Sequence, residues 1–269
     1  MTRSLTESSA VAGHSGDAGT LLRGLEITRR WGGLVAVNQV SLEIARGSVH
    51  AVIGTNGAGK STLVNILSGE LAPTSGRVEL MGQDVTGWSQ PRRARAGLGR
   101  SYQRNTIYPS FSVLENCRLA AQACTPKPWA WWQHAGRCMD SVAAAQGAAN
   151  RVGLAEVLDR EAGLLSHGQK RQLEIAMCLA TSPQVLLLDE PLAGMGAEET
   201  ERMLALLVEL KAQHGILLIE HDMDAVFRVA DRITVMVNGS VIASGTPDFV
   251  RQSPEVQVAY LGEQDVHHA

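Results

Sequence analysis

The chain has 269 residues, 45% of them hydrophobic and 19% charged, with a formal net charge of −3. That length buries a full core, as one large domain or one domain with an inserted subdomain. The balance lacks the basic surplus usual in nucleic-acid binders, which argues against such a partner while leaving local basic patches open. No apolar run approaches the roughly 18–20 residues that span a bilayer, so a membrane role is expected to go through a partner.

Residues 1–20 are rich in Ser, Gly, Ala and Thr and lack an apolar h-region. They read as a disordered tail rather than a signal peptide. Leu21–Thr28, Asn38–Ile44 and Ser48–Ile53 alternate or run apolar between glycine-containing turns, as strands do. A glycine-rich loop and a helical pattern through Leu63 and Leu67 follow, then short strands at Gly76–Met81 and Gly97–Gln103. The texture then changes. Ser112–Ala123 reads as a helix with Val113, Leu114 and Leu119 on one face. Cys124–His134 reads as a loop carrying two prolines and Trp129, Trp131 and Trp132, and Ala135–Leu158 as an alanine-rich helix. Alternation resumes with helix Gln169–Ala180, buried strand Val185–Leu188, helix Ala197–Gln213, buried strand Ile216–Ile219, and last strands Ile233–Val237 and Ser240–Ala243. Strands separated by helices imply a parallel sheet covered on both faces. The four cysteines, Cys117, Cys124, Cys138 and Cys178, form no CxxC pair and have no histidine cluster at ligand spacing, so reduced thiols are expected rather than a zinc site.

Gly54-Thr55-Asn56-Gly57-Ala58-Gly59-Lys60-Ser61 fills the P-loop pattern. It directly follows an apolar strand and opens a helix, the context the motif requires. Glycines let backbone N–H groups turn inward around phosphate oxygens, and the helix N-terminus adds partial positive charge. Lys60 is placed to reach the β and γ phosphates of ATP, and the Ser61 hydroxyl to ligate Mg2+. The run Val185–Leu188 ends in Asp189 and Glu190. Such an ending is common by itself. Downstream of a complete P-loop, Asp189 suits the Mg2+ shell, usually through water, and Glu190 suits polarising the attacking water.

Three further elements follow in order. Leu165-Ser166-His167-Gly168-Gln169 resembles the LSGGQ signature, Gln103 follows a strand as the Q-loop glutamine does, and His221 follows the strand Ile216–Glu220 as the switch histidine does. Trp31 falls at the aromatic position that stacks on adenine. A lone histidine at a strand end or a lone tryptophan is more often structural. In this order, however, the chain resembles an ABC transporter nucleotide-binding domain from about Leu22 to Gly262. The resemblance implies an α/β P-loop ABC-type fold with an antiparallel β subdomain and an inserted helical subdomain. It divides the chain into an ATP-binding core at 21–102 and 166–250, a helical insert at 103–165, and a family-specific tail at 251–269. Trp31, Asn56, Gly57, Gly59, Lys60, Ser61 and Thr62 are implied to hold nucleotide, and Ser61, Gln103 and Asp189 to hold Mg2+. Glu190, His221 and Gln103 are implied to serve hydrolysis. Ser166, His167, Gly168 and Gln169 would act in trans, on the ATP of a second ATPase subunit in a homo- or heterodimer.

Gly32–Val37, Glu190–Met195 and Pro254–Glu263 are similar, more narrowly, to ATPase subunits of branched-chain amino-acid importers and their urea and amide relatives. This implies transmembrane permease partners, an indirect solute-binding protein, no nucleic acid, and a peripheral place on the cytoplasmic face of the membrane. Gln103 to about Phe111 would form the groove receiving the permeases, with the tryptophan loop either packed in the helical insert or docked against permease or lipid. The competing readings are a soluble ABC ATPase acting on nucleic acid or ribosomes, a nucleotide-sensing module, and an exporter ATPase. A single P-loop and no heptad run count against the first, and an intact Glu190 and His221 against the second. Two positions depart from the family pattern: His167 stands at a glycine-like signature position, and Gly196 where many ABC ATPases carry the D-loop aspartate.

Overall fold

The computed structural model describes residues 19–102, 107–124 and 139–264. Gln103, the three clustered tryptophans, Cys138 and residues 1–18 lie outside the described residues. Two sheets form the frame. The long antiparallel pair β1 (Thr20–Trp31) and β2 (Leu34–Ala45) is joined at Gly32-Gly33. With β4 (Ser75–Leu80) and β5 (Gln83–Asp84) it makes an antiparallel sheet of order β2-β1-β4-β5. The second sheet is built from β3 (Val49–Gly54), β6 (Leu98–Arg100), β7 (Val185–Asp189), β8 (Gly215–Ile219), β9 (Arg232–Val237) and β10 (Ser240–Gly245), in the order β10-β9-β3-β8-β7-β6. All its pairings are parallel except that of β10 with β9.

The central strands read as unbroken apolar runs because both their faces are covered. Alternate residues serve two cores. Val52, Leu187 and Leu217 pack with Leu63, Ile66 and Leu67 of α1 (Lys60–Ser68) and with Leu22 and Ile44 of the antiparallel sheet. Ile53, Leu186, Leu188 and Leu218 point the other way, onto Leu173 and Ile175 of α5 (His167–Ala180) and Leu204 and Leu207 of α6 (Ala197–Lys211). Each leucine so buried contributes about 1.5–3 kcal/mol. The helix that follows the glycine loop is thus clamped between two sheets.

At its other end α1 is finished by Arg93, from α2 (Gln90–Arg95), which is only 1% exposed. Its guanidinium donates to the carbonyls of Ile66 and Leu67 at 2.8 Å and of Thr86 at 3.0 Å. Last-turn carbonyls have no partner within their helix, and a cation there also complements the helix dipole. Burial pulls the Arg93 guanidinium down to about 10, with Asp84 opposing.

The helical layer comprises α3 (Val113–Ala123), α4 (Met139–Arg151) and α5 packed on one another. Two expectations need correction. The buried face of α3 is Val113, Cys117 and Ala121, spaced four apart, while Leu114 and Leu119 are only half-buried. Small residues win that face because Ala145, Ala148 and Ala149 of α4 belong to the same core and leave little room. The second helix does not run to Leu158. It ends at Arg151, where Gly153 takes a φ of +80° and Leu154 donates back to Ala149 O at 2.9 Å, a left-handed helix stop. The short helices α2, α7 (Met223–Val229) and α8 (Pro247–Gln252), and α9 (Pro254–Gln264), complete the chain.

Candidate functional site

The loop Gly54–Gly59 leaves the end of β3 and turns directly into α1. Gly59 is the residue before the helix, at φ +98° and ψ 1°. A β-carbon there would lie 2.3 Å from the carbonyl oxygen of Ala36 in β2, and the chain turn at Gly239 backs the same spot. No side chain caps α1 and no acid stands in its first turn. An anion is what the N-terminus of such a helix favours. Lys60 is buried, with its ammonium on the carbonyls of Gly54 (2.5 Å) and Thr55 (3.0 Å), so its charge lies across the loop. Ser61, Asn56 and Gly57 are exposed at the lip, and Thr62 is half-buried. Trp31, 44% exposed at the end of β1, lies under the Arg29 guanidinium at 4.9 Å from the ring centroid.

Asp189 ends β7, next in the sheet to β8 and two strands from β3, and Glu190 follows it. Asp189 is 5% exposed, and its amide donates to the Ser101 hydroxyl at 3.3 Å. Burial pushes its carboxyl above the ordinary range; Arg100 and Lys60 oppose and Glu190 reinforces. Glu190 takes a φ of +51°, and its amide donates to Ile219 O of β8 at 2.9 Å. This backbone is rare for a residue with a β-carbon.

Glu220, which the sequence reading used only as a strand end, is fully buried. It accepts from the Leu192 amide at 2.8 Å and the His221 amide at 3.2 Å. Burial raises its carboxyl, and those two amides oppose the rise. It therefore joins the segment after Glu190 to the segment carrying His221, whose side chain is 66% exposed. The available signal was a second carboxylate at the C-terminal end of an all-apolar parallel strand, where ligands of such sheets gather.

Arg100 is the other missed residue. It donates to the Ser68 hydroxyl (2.6 Å), Glu70 (2.8 Å) and Asn65 (2.5 Å), tying β6 to the end of α1. Its guanidinium also lies 4.6 Å from the Tyr102 ring centroid, immediately before Gln103.

Ser166 caps α5 through a capping box: its hydroxyl accepts from the Gln169 amide (3.2 Å) while the Gln169 side chain accepts from the Ser166 amide (3.1 Å). Gly168 lies in the first turn, against Glu199 of α6. The His167 ring reaches Ala193 O at 2.9 Å. The structure thus gathers the signature residues with the segment following Glu190. A concavity of about 950 Å3 lies elsewhere, against His50, Arg77 and Arg232. It includes neither the glycine loop nor Asp189, and the chemistry of the loop weighs more than the size of that cleft. Tyr108 and Phe111 are exposed, with ring centroids 5.5 Å apart. Burial pushes the Cys117 and Cys178 thiols up to about 12, far from reactive thiolates.

Comparison with known proteins points one way. Residues 37–193 match the family model described as ABC transporter, and residues 240–266 one described as branched-chain amino acid ATP-binding cassette transporter. The chain is 38% identical over 247 residues to the high-affinity branched-chain amino acid transport ATP-binding protein BraF of Pseudomonas aeruginosa, covering 88% of this chain and 96% of that protein. It is 40% identical over 244 residues to its counterpart LivG of Escherichia coli K12, covering 87% and 94%. The crystal structure of the ADP conformation of MJ1267, an ATP-binding cassette of an ABC transporter, superposes with a TM-score of 0.81 at 32% identity, covering 90% of this chain and 99% of that one. A nucleotide-free cassette from an ABC transporter gives 0.79 at 30% identity, covering 90% and 98%.

Proposed function

The chain belongs to the ABC transporter ATP-binding family and is an ATPase, and from that premise we propose that it is the energy subunit of an importer of branched-chain amino acids. The observation that carries the solute class is the match of residues 240–266 to the branched-chain amino-acid cassette family, because that segment lies beyond the chemistry common to all ABC ATPases. Residues 21–102 and 166–250 act as the ATP-binding core, 103–165 as the helical insert and 251–269 as the family tail.

In this reading the adenine stacks on Trp31 and the phosphates settle on the amides of Asn56–Thr62, with Lys60 turning from the loop carbonyls toward them. Glu190 polarises the attacking water, and His221 and Gln103 complete the γ-phosphate surroundings. Ser61 and Asp189 fit a Mg2+ ion by donor chemistry, since Mg2+ is held by a few protein oxygens together with substrate phosphates and water. When bound, the ion offsets developing phosphate charge. Asp189, held up by burial, supplies a carboxylate that a neighbouring cation favours in its charged form. Ser166, Gly168 and Gln169 face the nucleotide of a second ATPase subunit.

The partners are transmembrane permeases reached through the helical layer, with the exposed Tyr108 and Phe111 pair at the docking groove and the subunit on the cytoplasmic side of the membrane. Reconstitution with the permeases and solute-binding protein of its own transporter tests the assignment. ATP-dependent uptake of labelled leucine is expected, with urea and short amides left behind. Uptake of urea without leucine would reject the solute class, and nucleotide-independent uptake would reject the role.

A further inference from the structure

Of the two departures from the family pattern, His167 bears on the short segment 193–196 that ends in the other, Gly196. His167 opens α5, and the capping box of Ser166 and Gln169 pins its backbone. Its Nε2 lies 2.9 Å from the carbonyl oxygen of Ala193. A carbonyl oxygen only accepts, so Nε2 carries the proton and donates. Gly194 turns beneath the ring at φ +75°, where a β-carbon would come within 2.9 Å of Nε2. The segment 193–196 contains two glycines, so it brings few side chains of its own to fasten it. The same segment begins at Glu190. Ala193 N donates to Glu190 O at 3.2 Å, and Leu192 N donates to Glu220 at 2.8 Å. The loop carrying Glu190 is therefore tied to Ile219 and Glu220 at the end of β8 and, from the signature side, to His167.

We infer that His167 is a positioning residue: its Nε2–H bond to Ala193 O ties the signature to the Glu190 loop of the same subunit. Engagement of the signature by the opposite nucleotide is thereby passed to this subunit's own hydrolytic carboxylate. The link does the work of fastening this loop where Gly196 offers no side chain. The inference rests on Glu190 as the water-polarising group, but its first measurement does not depend on catalysis.

Amide hydrogen exchange of the full chain reads the latch directly. His167→Leu keeps side-chain bulk and removes the donor. Exchange at Leu192–Ala197 is expected to quicken about five- to tenfold, the effect of one net hydrogen bond. His167→Gln, whose amide nitrogen falls near the imidazole Nε2, is expected to restore it. Gly194→Ala attacks the same contact from the other side and is expected to behave like His167→Leu, which keeps the test sound if one variant folds poorly. In steady-state ATPase of the subunit with its transporter partners, His167→Leu is expected to lower kcat by a similar factor while KM for ATP stays within about twofold, and His167→Gln to recover it. Unchanged exchange in His167→Leu overturns the latch. So does exchange that His167→Gln fails to restore. A rise in KM with kcat intact overturns it too, since His167 would then be a nucleotide contact. Normal turnover in Glu190→Gln would instead remove the catalytic reading and leave the exchange result to decide the latch alone.

Discussion

Replacing Gly59 with alanine tests whether the glycine loop is shaped by the frame behind it. Two costs can be separated. The first is the backbone: a φ of +98° strains an L-residue by about 1–2 kcal/mol. The second is steric. The new methyl would sit 2.3 Å from Ala36 O and 3.4 Å from the Cα of Gly239, so β2 or the loop must move by most of an ångström. Overpacking of that kind costs about 1–3 kcal/mol. Together they give about 2–5 kcal/mol, or a fall in melting temperature of roughly 5–15 °C for a domain of this size. Gly57→Ala is the control: its φ is +82°, but a β-carbon there meets nothing within 4 Å, so only the first cost applies. Thermal unfolding of both variants, followed by titration with a fluorescent ATP analogue, reads the difference. Gly59→Ala is expected to melt lower than Gly57→Ala by the steric share, about 2–8 °C, and to bind nucleotide more weakly because its amides have shifted. Equal melting temperatures would show that Ala36 does not dictate glycine at this position.

Lys60→Ala is expected to abolish ATP binding, since the phosphates lose a charge and a donor; wild-type affinity in a nucleotide titration would contradict the P-loop assignment. Glu190→Gln is expected to keep ATP affinity and lose roughly 10²–10⁴-fold in turnover, measured as phosphate release; normal turnover would take Glu190 out of the chemistry. His50 is buried between Glu43 O at 2.7 Å and the Thr234 hydroxyl at 2.8 Å, and burial lowers its imidazole to about 4, with Arg232 adding and the Glu43 carbonyl opposing. A folded value below the unfolded one means stability is present above about 6.5 and lost as pH falls toward 4. The loss is about 3 kcal/mol across that window, seen in denaturant melts as a decline that His50→Gln abolishes. A wild-type stability flat from pH 7 to 4 would be inconsistent with a neutral buried His50.

What could be read from the chain follows from which physical signals are local. The glycine loop, the apolar strand before it and the carboxylates ending β7 are contiguous, and their order survives in space. Short helices were not legible: α2 and α8 have six residues each and α7 has seven, too short for periodicity to show. In the structure α7 and α8 are marked by their caps, Asp222 accepting from Ala225 N and Thr246 accepting from Phe249 N. The face of α3 was misjudged because leucine outranks alanine in hydrophobicity, whereas interhelical room decided the matter. Glu220 and Arg100 act between elements far apart in the sequence, so no spacing rule announces them. The roles given to Gln103 and the tryptophan loop lie outside the described residues.

The guanidinium finish on α1 has a mechanical meaning. A ligand that binds the first turn of a helix can spend its force moving that helix, if the far end is loose. Here the far end is bolted by two bonds from Arg93, and both flanks are gripped by apolar side chains. The phosphates therefore press on an anvil. Gaining or losing the terminal phosphate cannot be absorbed by recoil of α1, and the displacement is delivered to whatever leans on the phosphate from the opposite side.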